Sequence, residues 1–145
     1  MLSSAISPFT PRIVIILARR GCADFSIIFA KRIISSLFVS GDAEINTKKT
    51  AVLDSLVTLL QLFPKVTANI YGYTDNLGPA EANLKLSAKR ARAVMTYLVE
   101  AGIAASRLKS AGMGKTNFIA SNRTKSGRAK NRRVEIEFSY PEAGQ

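Results

Sequence analysis

The sequence predicts an α+β domain, a mixed four-stranded sheet with two helices packed on one face, in the order strand, helix, strand, helix, strand, long loop, strand. Three observations carry this. Val52, Leu53, Leu56, Val57, Leu60 and Phe63 recur at three- and four-residue spacing, which makes one apolar face of a helix. Val66, Ala68 and Ile70 alternate with Thr67, Asn69 and Tyr71, the period of a half-buried strand. Val134, Ile136, Phe138 and Tyr140 alternate with Arg133, Glu135, Glu137 and Ser139 in the same way. A chain of 145 residues that is 47% apolar is long enough for one such domain with a core, and too short for two ordinary ones.

In chain order, residues 1–35 read as an N-terminal extension, 36–140 as the domain and 141–145 as a tail. The extension alternates apolar runs such as Ile13–Ala18 and Phe25–Ala30 with the basic pairs Arg19-Arg20 and Lys31-Arg32. No uncharged run approaches the roughly twenty residues of a membrane helix. Arg12 with six apolar residues after it is a poor secretory signal, and no export signal is evident; an amphipathic surface segment and an irregular lead-in both fit the pattern.

Ile33 to Val39 is apolar and β-branched enough for the first strand, ended by the turn residues Ser40-Gly41-Asp42. The first helix starts after a cap at Asn46 or Thr47 and stops at Pro64. The second strand delivers the chain to Thr74-Asp75, and Asn76-Leu77-Gly78 reads as a turn. Pro79 suits a first helical position and Glu81 the positive end of a helix, so the second helix runs from Pro79 to Ala101 and ends at Gly102. Leu84, Ala91, Val94, Met95 and Leu98 can face the core. Arg107 to Ala111 reads as a third strand ended by Gly112-Met-Gly114. Residues 115–131 show no apolar period and read as a long loop with room for one helical turn.

Composition removes many functions. There is no histidine and one cysteine, so the usual nitrogen and sulfur metal sites, the serine–histidine and cysteine–histidine pairs and an intramolecular disulfide are excluded. Cys22 lies outside the domain pattern and reads as an inert thiol. No base poised near neutral pH accompanies a nucleophile, so no catalytic residue, metal or cofactor is assigned. Twenty-one basic against ten acidic residues give a net charge of +11, which suits a polyanionic neighbour: nucleic acid, anionic lipid or an acidic wall polymer. Residues 1–37 carry five bases and one acid and residues 38–145 sixteen and nine, so the excess is spread along the chain.

The pattern Tyr73-Thr74-Asp75-Asn76 with Gly78, then Asn83, Leu86-Ser87, Arg90-Ala91, Val94 and Tyr97-Leu98, then Gly112, Gly114, Asn122, Gly127 and Asn131-Arg132-Arg133-Val134-Glu135 resembles the OmpA-like C-terminal domain. The peptidoglycan-associated lipoprotein and the flagellar stator protein MotB share that domain. The resemblance covers residues 36–140. It implies the OmpA-like β/α/β/α/β–β sandwich and non-covalent binding of peptidoglycan through the diaminopimelate residue of its stem peptide. By position, the acid that holds the ligand's ammonium falls on Asp75 and the arginine that holds its carboxylate on Arg90. Asn83 and Leu86 fall on pocket-lining positions, and Thr74 and Asn76 flank the acid. Such a zwitterionic head needs one anion and one cation at fixed separation, and arginine's planar fork matches a carboxylate with two parallel hydrogen bonds. The resemblance further implies the periplasmic face of the envelope, at the outer membrane, with envelope membrane proteins as partners.

One departure stands out. The acid that usually ends the first strand falls on Gly41, with Asp42 one residue on as the candidate third wall. Read without the resemblance, Asp75 is a turn residue or helix cap, and Arg90 belongs to a solvated face with Lys85, Lys89 and Arg92. Asn131 and Arg132 read as structural, pinning the long loop to the sheet. The alternative function is a basic nucleic-acid-binding protein using residues 85–92 and 123–133 as phosphate contacts. No nucleic-acid motif supports it, and the aromatics are not interleaved with bases as a stacking platform requires, so no specific nucleic acid is expected.

Overall fold

A computed structural model of the chain describes residues 30–39 and 41–140. The extension through residue 29, with Cys22, and the tail lie outside the described residues. Four strands, β1 (Ala30–Ser35), β2 (Thr67–Tyr73), β3 (Leu108–Gly114) and β4 (Arg133–Ser139), form one sheet in the order β1-β4-β2-β3. β4 runs antiparallel to both neighbours, and β2 and β3 are parallel. Three helices accompany them: α1 (Ala51–Leu62), α2 (Ala80–Glu100) and α3 (Lys125–Asn131). The mixed sheet and the α+β class are those predicted, and α3 is the helical turn for which the long loop has room.

The first strand differs from its expected span of 33–39. It begins at Ala30, inside the stretch assigned to the extension, and Ser36 at φ 59° breaks the extended backbone after Ser35. Leu37 to Asn46 instead closes as a small hairpin: Asn46 N–H donates to the Leu37 carbonyl (2.9 Å), Val39 N–H donates to the Glu44 carbonyl (2.9 Å), and Phe38 bridges Ile45. With apolar residues on both sides of Ser35-Ser36, the pattern alone does not show that one ladder stops at the serines and another starts beyond them. Asn46 does cap, accepting from Lys48 N–H at the 3₁₀ turn Thr47–Lys49 that precedes α1.

The core lies between α1, α2 and one face of the sheet, with Leu53, Leu56, Leu60, Val94, Leu98, Ile70, Val134 and Ile136 fully buried. α2 meets the sheet through backbone. A Cβ at Gly72 would stand 2.1 Å from the Ser87 carbonyl oxygen, and one at Gly112 2.4 Å from the Ala88 nitrogen. No side chain fits at either position, so the helix rests directly on β2 and β3. This also explains Leu84. Expected in the core, it is 50% exposed, because at this end the helix backbone itself fills the contact and the side chain is left at the margin. Ser87 then ties the layers, its Oγ accepting from Gly114 N–H (2.9 Å) and donating to the Leu84 carbonyl (2.8 Å). α2 ends as predicted at Gly102, whose φ of +104° allows Ile103 N–H to reach the Leu98 carbonyl and Gly102 N–H the Val99 carbonyl.

The other face of the sheet is not the solvated face that the alternation in β4 suggests. Arg133 and Glu135 are 3% and 2% exposed and pair at 2.8 Å, with Lys31 on the second carboxylate oxygen. The Arg133 guanidinium stacks 4.0 Å from the centroid of the Tyr73 ring and donates to the Asn117 carbonyl, so the loop after β3 roofs this end of the sheet. Asn131, with no exposure, holds that loop. Its Oδ1 accepts from Ile119 and Ala120 N–H, and its Nδ2 donates to the Ala120 carbonyl and to Asn122 Oδ1. Four hydrogen bonds thus tie Asn131, at the end of α3, to the loop after β3.

Candidate functional site

At the carboxyl end of β2 the chain leaves the sheet beside the start of α2, and a cleft of about 400 Å³ opens there. Thr74, Asp75, Asn83, Leu86 and Arg90 line it, together with Gly41, Leu77, Lys125, Arg128 and Arg132. Five of the six expected ligand residues are therefore brought to one place. The sixth, Asn76, is exposed and is not among the lining residues. A volume of this order suits an amino-acid-sized ligand.

Asp75 is 7% exposed and makes two charge-assisted contacts: Oδ1 accepts from Leu77 N–H (3.0 Å) and Oδ2 accepts from Arg132 Nη1 (2.7 Å). The first is the turn role that the residue type suggests by itself. A carboxylate has about four acceptor positions, so each oxygen retains capacity for a further donor. Thr74 is buried, its N–H donating to the Gly114 carbonyl and its hydroxyl to the Asp75 carbonyl, which sets the direction in which Asp75 leaves the strand. Asn83 Nδ2 donates to the Leu77 carbonyl (2.7 Å) and holds the turn against the first helical turn of α2.

Arg90, 5% exposed, sits three turns further along α2. Its Nε donates to the Asp42 carbonyl (2.9 Å), and its guanidinium lies 5.3 Å from the Phe38 ring centroid. Burial pushes its pKa below the usual arginine value, and Arg132 acts in the same direction against Asp75 and Asp42. The group stays protonated at any physiological pH. Burial here means a cation fixed through Nε, whose two terminal nitrogens have no hydrogen-bond partner among the described residues. It is not a solvated-face residue.

The candidate third wall is placed differently. Asp42 offers Arg90 its backbone carbonyl, while its carboxylate accepts from Ala43 N–H (2.7 Å) and does not line the cleft. The cleft margin at this point is Gly41, with φ +76° and no atom within 4 Å of a Cβ placed there. Sequence reasoning also placed Arg132 only as structural or secondary, whereas it lines the cleft and pairs with Asp75. Fifty-seven residues separate the two, and no local periodicity links them. Lys125 and Arg128, on α3, were not singled out as cleft residues, because a loop without an apolar period gives no facing direction. Among the described residues no group of three or more cysteine, aspartate or glutamate side chains is placed to hold a metal, and no helix is long and apolar enough to cross a membrane.

The signature of the OmpA family matches residues 37–132. The chain belongs to the OmpA family. Its relatives include the probable lipoprotein YiaD of Escherichia coli K12, 40% identical over 102 residues that make up 70% of this chain and 47% of that protein. The peptidoglycan-binding protein ArfA of Mycobacterium bovis is 47% identical over 85 residues, 59% of this chain and 26% of ArfA. The chain thus spans less than half the length of each of these two relatives. Among solved structures, the periplasmic domain of Helicobacter pylori MotB superposes with a TM-score of 0.70 at 26% identity, covering 82% of this chain and 85% of that domain. The peptidoglycan-associated lipoprotein of Burkholderia pseudomallei gives 0.68 at 27%, covering 74% and 89%.

Proposed function

We propose that this OmpA-family domain binds peptidoglycan without covalent attachment, holding the diaminopimelate residue of a stem peptide, and so anchors an envelope component to the cell wall from the periplasmic side. The observation that carries the proposal is that Asp75 and Arg90, opposite charges on separate elements, are both buried and line one cleft. Asp75 accepts the ligand's ammonium on the lone pairs that Leu77 and Arg132 leave open. Arg90, steadied through Nε, presents its terminal nitrogens to the carboxylate. The relatives agree with this reading: one is named as peptidoglycan-binding and others are lipoproteins or outer membrane proteins. No catalysis is part of the proposal, and the partners are peptidoglycan and the envelope proteins that the domain tethers.

The protein is expected to co-sediment with purified diaminopimelate-type sacculi, and Asp75→Ala and Arg90→Ala each to reduce pelleting tenfold or more (~1.4 kcal/mol per tenfold). If both variants pellet like the parent, the cleft is not the binding site. The net charge of +11 gives a second reading, non-specific attraction to any polyanion. Binding that is equal for DNA and sacculi and fades smoothly with salt would favour it.

A further inference from the structure

The cleft carries more positive charge than a zwitterion uses. Arg90, Lys125, Arg128 and Arg132 line it against a single carboxylate, Asp75. An amino-acid head with one ammonium and one carboxylate is neutral overall and would leave that surplus uncompensated. Arg132 is already committed to Asp75, and Arg128 donates through Nη1 to the Asn122 carbonyl. Among the described residues Lys125 forms no ion pair.

A second observation points the same way. A smaller lobe of about 190 Å³ continues the cleft and shares Gly41, Arg90 and Arg132 with it. Lys49 lines this lobe, is exposed and likewise forms no ion pair among the described residues. The two arginines therefore form a ridge with open volume and an uncommitted lysine on each side. Gly41 borders both lobes and contributes only backbone where they meet. Neither an anion nor bulk stands at that junction.

We propose that the cleft selects stem peptides by the charge of their carboxylates, taking those whose carboxylates are free and rejecting amidated ones, with Lys125 and Lys49 as the selectivity residues. The proposal rests on the peptidoglycan reading above. A stem that contains diaminopimelate next to glutamate brings, besides the zwitterionic head, a further carboxylate on the neighbouring residue. Amidation keeps the shape of the group and removes its charge, so it discards the attraction to the ridge and lysines. Selection then comes from the protein's unmatched charge, which a neutral amide cannot compensate.

The test is calorimetric titration of the full chain with two synthetic tripeptides, alanyl-γ-glutamyl-diaminopimelate with free carboxylates and the same peptide amidated only at the glutamate α-carboxylate, which leaves the zwitterionic head that Arg90 and Asp75 hold unchanged. The amidated peptide is expected to bind about tenfold more weakly or worse at low salt, with the gap narrowing as salt rises. In the Lys49→Ala/Lys125→Ala double variant, both sites being exposed, the gap should shrink to about threefold or less while the free peptide still binds. Equal affinities in the parent, or a gap unchanged in the double variant, would overturn the selectivity proposal and leave the peptidoglycan reading standing. Failure of both peptides to bind would overturn both.

Discussion

Replacing Arg90 by lysine separates charge from geometry. The parent guanidinium does two things at once: Nε holds the Asp42 carbonyl at 2.9 Å, and the remaining fork is left for a ligand carboxylate. It also lies over Phe38, 5.3 Å from the ring centroid, within reach of a cation–π contact. A lysine ammonium is a single point on a flexible stem, and can face either the carbonyl or the ligand but not present two parallel donors to the latter. Losing one charge-assisted hydrogen bond to the ligand costs about 1.5–3 kcal/mol, and losing the ring contact at a shielded site about 0.5 kcal/mol more. Partial recovery by the ammonium offsets some of this, so about 2 kcal/mol is expected in binding, roughly thirtyfold in Kd. Fold stability should fall by only about 1 kcal/mol, since the carbonyl that loses its donor belongs to an exposed turn. Titration with the free diaminopimelate tripeptide measures the first quantity and urea denaturation the second. If Arg90→Lys binds within about threefold of the parent while Arg90→Ala does not bind, charge suffices and the fork argument is wrong.

Two further outcomes concern the scaffold. Asn131→Ala removes four hydrogen bonds from a residue with no exposure and strands two amides of the loop, so about 3 kcal/mol of stability should be lost; an unshifted urea midpoint would show that the loop is held by other means. Burial, with Glu135 adding to it, raises the Tyr73 phenol above its ordinary value of 10.0. The folded state thus favours the protonated phenol; that stability is fully present below pH about 10 and is lost as pH rises through the raised value. Tyr73→Phe keeps the ring over Arg133 and cannot titrate there, so its urea midpoint should fall less between pH 8 and 11 than that of the parent. The difference in stability grows by at most ~1.4 kcal/mol per pH unit, the value of a single proton. Parallel declines in the two proteins would refute the assignment.

Much of the fold is legible in the sequence because its signals are local. The three- and four-residue spacing from Val52 to Leu60 buries Leu53, Leu56 and Leu60 as a helix face must, and Gly102 ends α2 through backbone geometry that only the neighbouring residues set. The cleft was legible through resemblance rather than period: nothing in the spacing of Asp75 and Arg90 brings them together. What escaped are contacts made across long separations. Arg107 donates to the carbonyls of Leu60, Phe63 and Val66, closing the end of α1 from more than forty residues away, and reads in sequence as a plain strand-edge base. Arg133 and Glu135 follow the polar half of a two-residue alternation yet are buried, because the loop that covers them has no periodicity of its own to announce where it lies.

The two glycines under α2 act as a gauge for the ligand. Asp75 hangs from the end of β2 and Arg90 from the helix that lies on that strand, so the gap between the charges depends on the height of the helix above the sheet. At Gly72 and Gly112 that height is set by backbone meeting backbone. A single methyl at either position would lift the helix, carry Asn83, Leu86 and Arg90 with it and change the gap without changing the identity of any cleft residue, so the family of ligands that fits is tuned from underneath, by residues that never touch them.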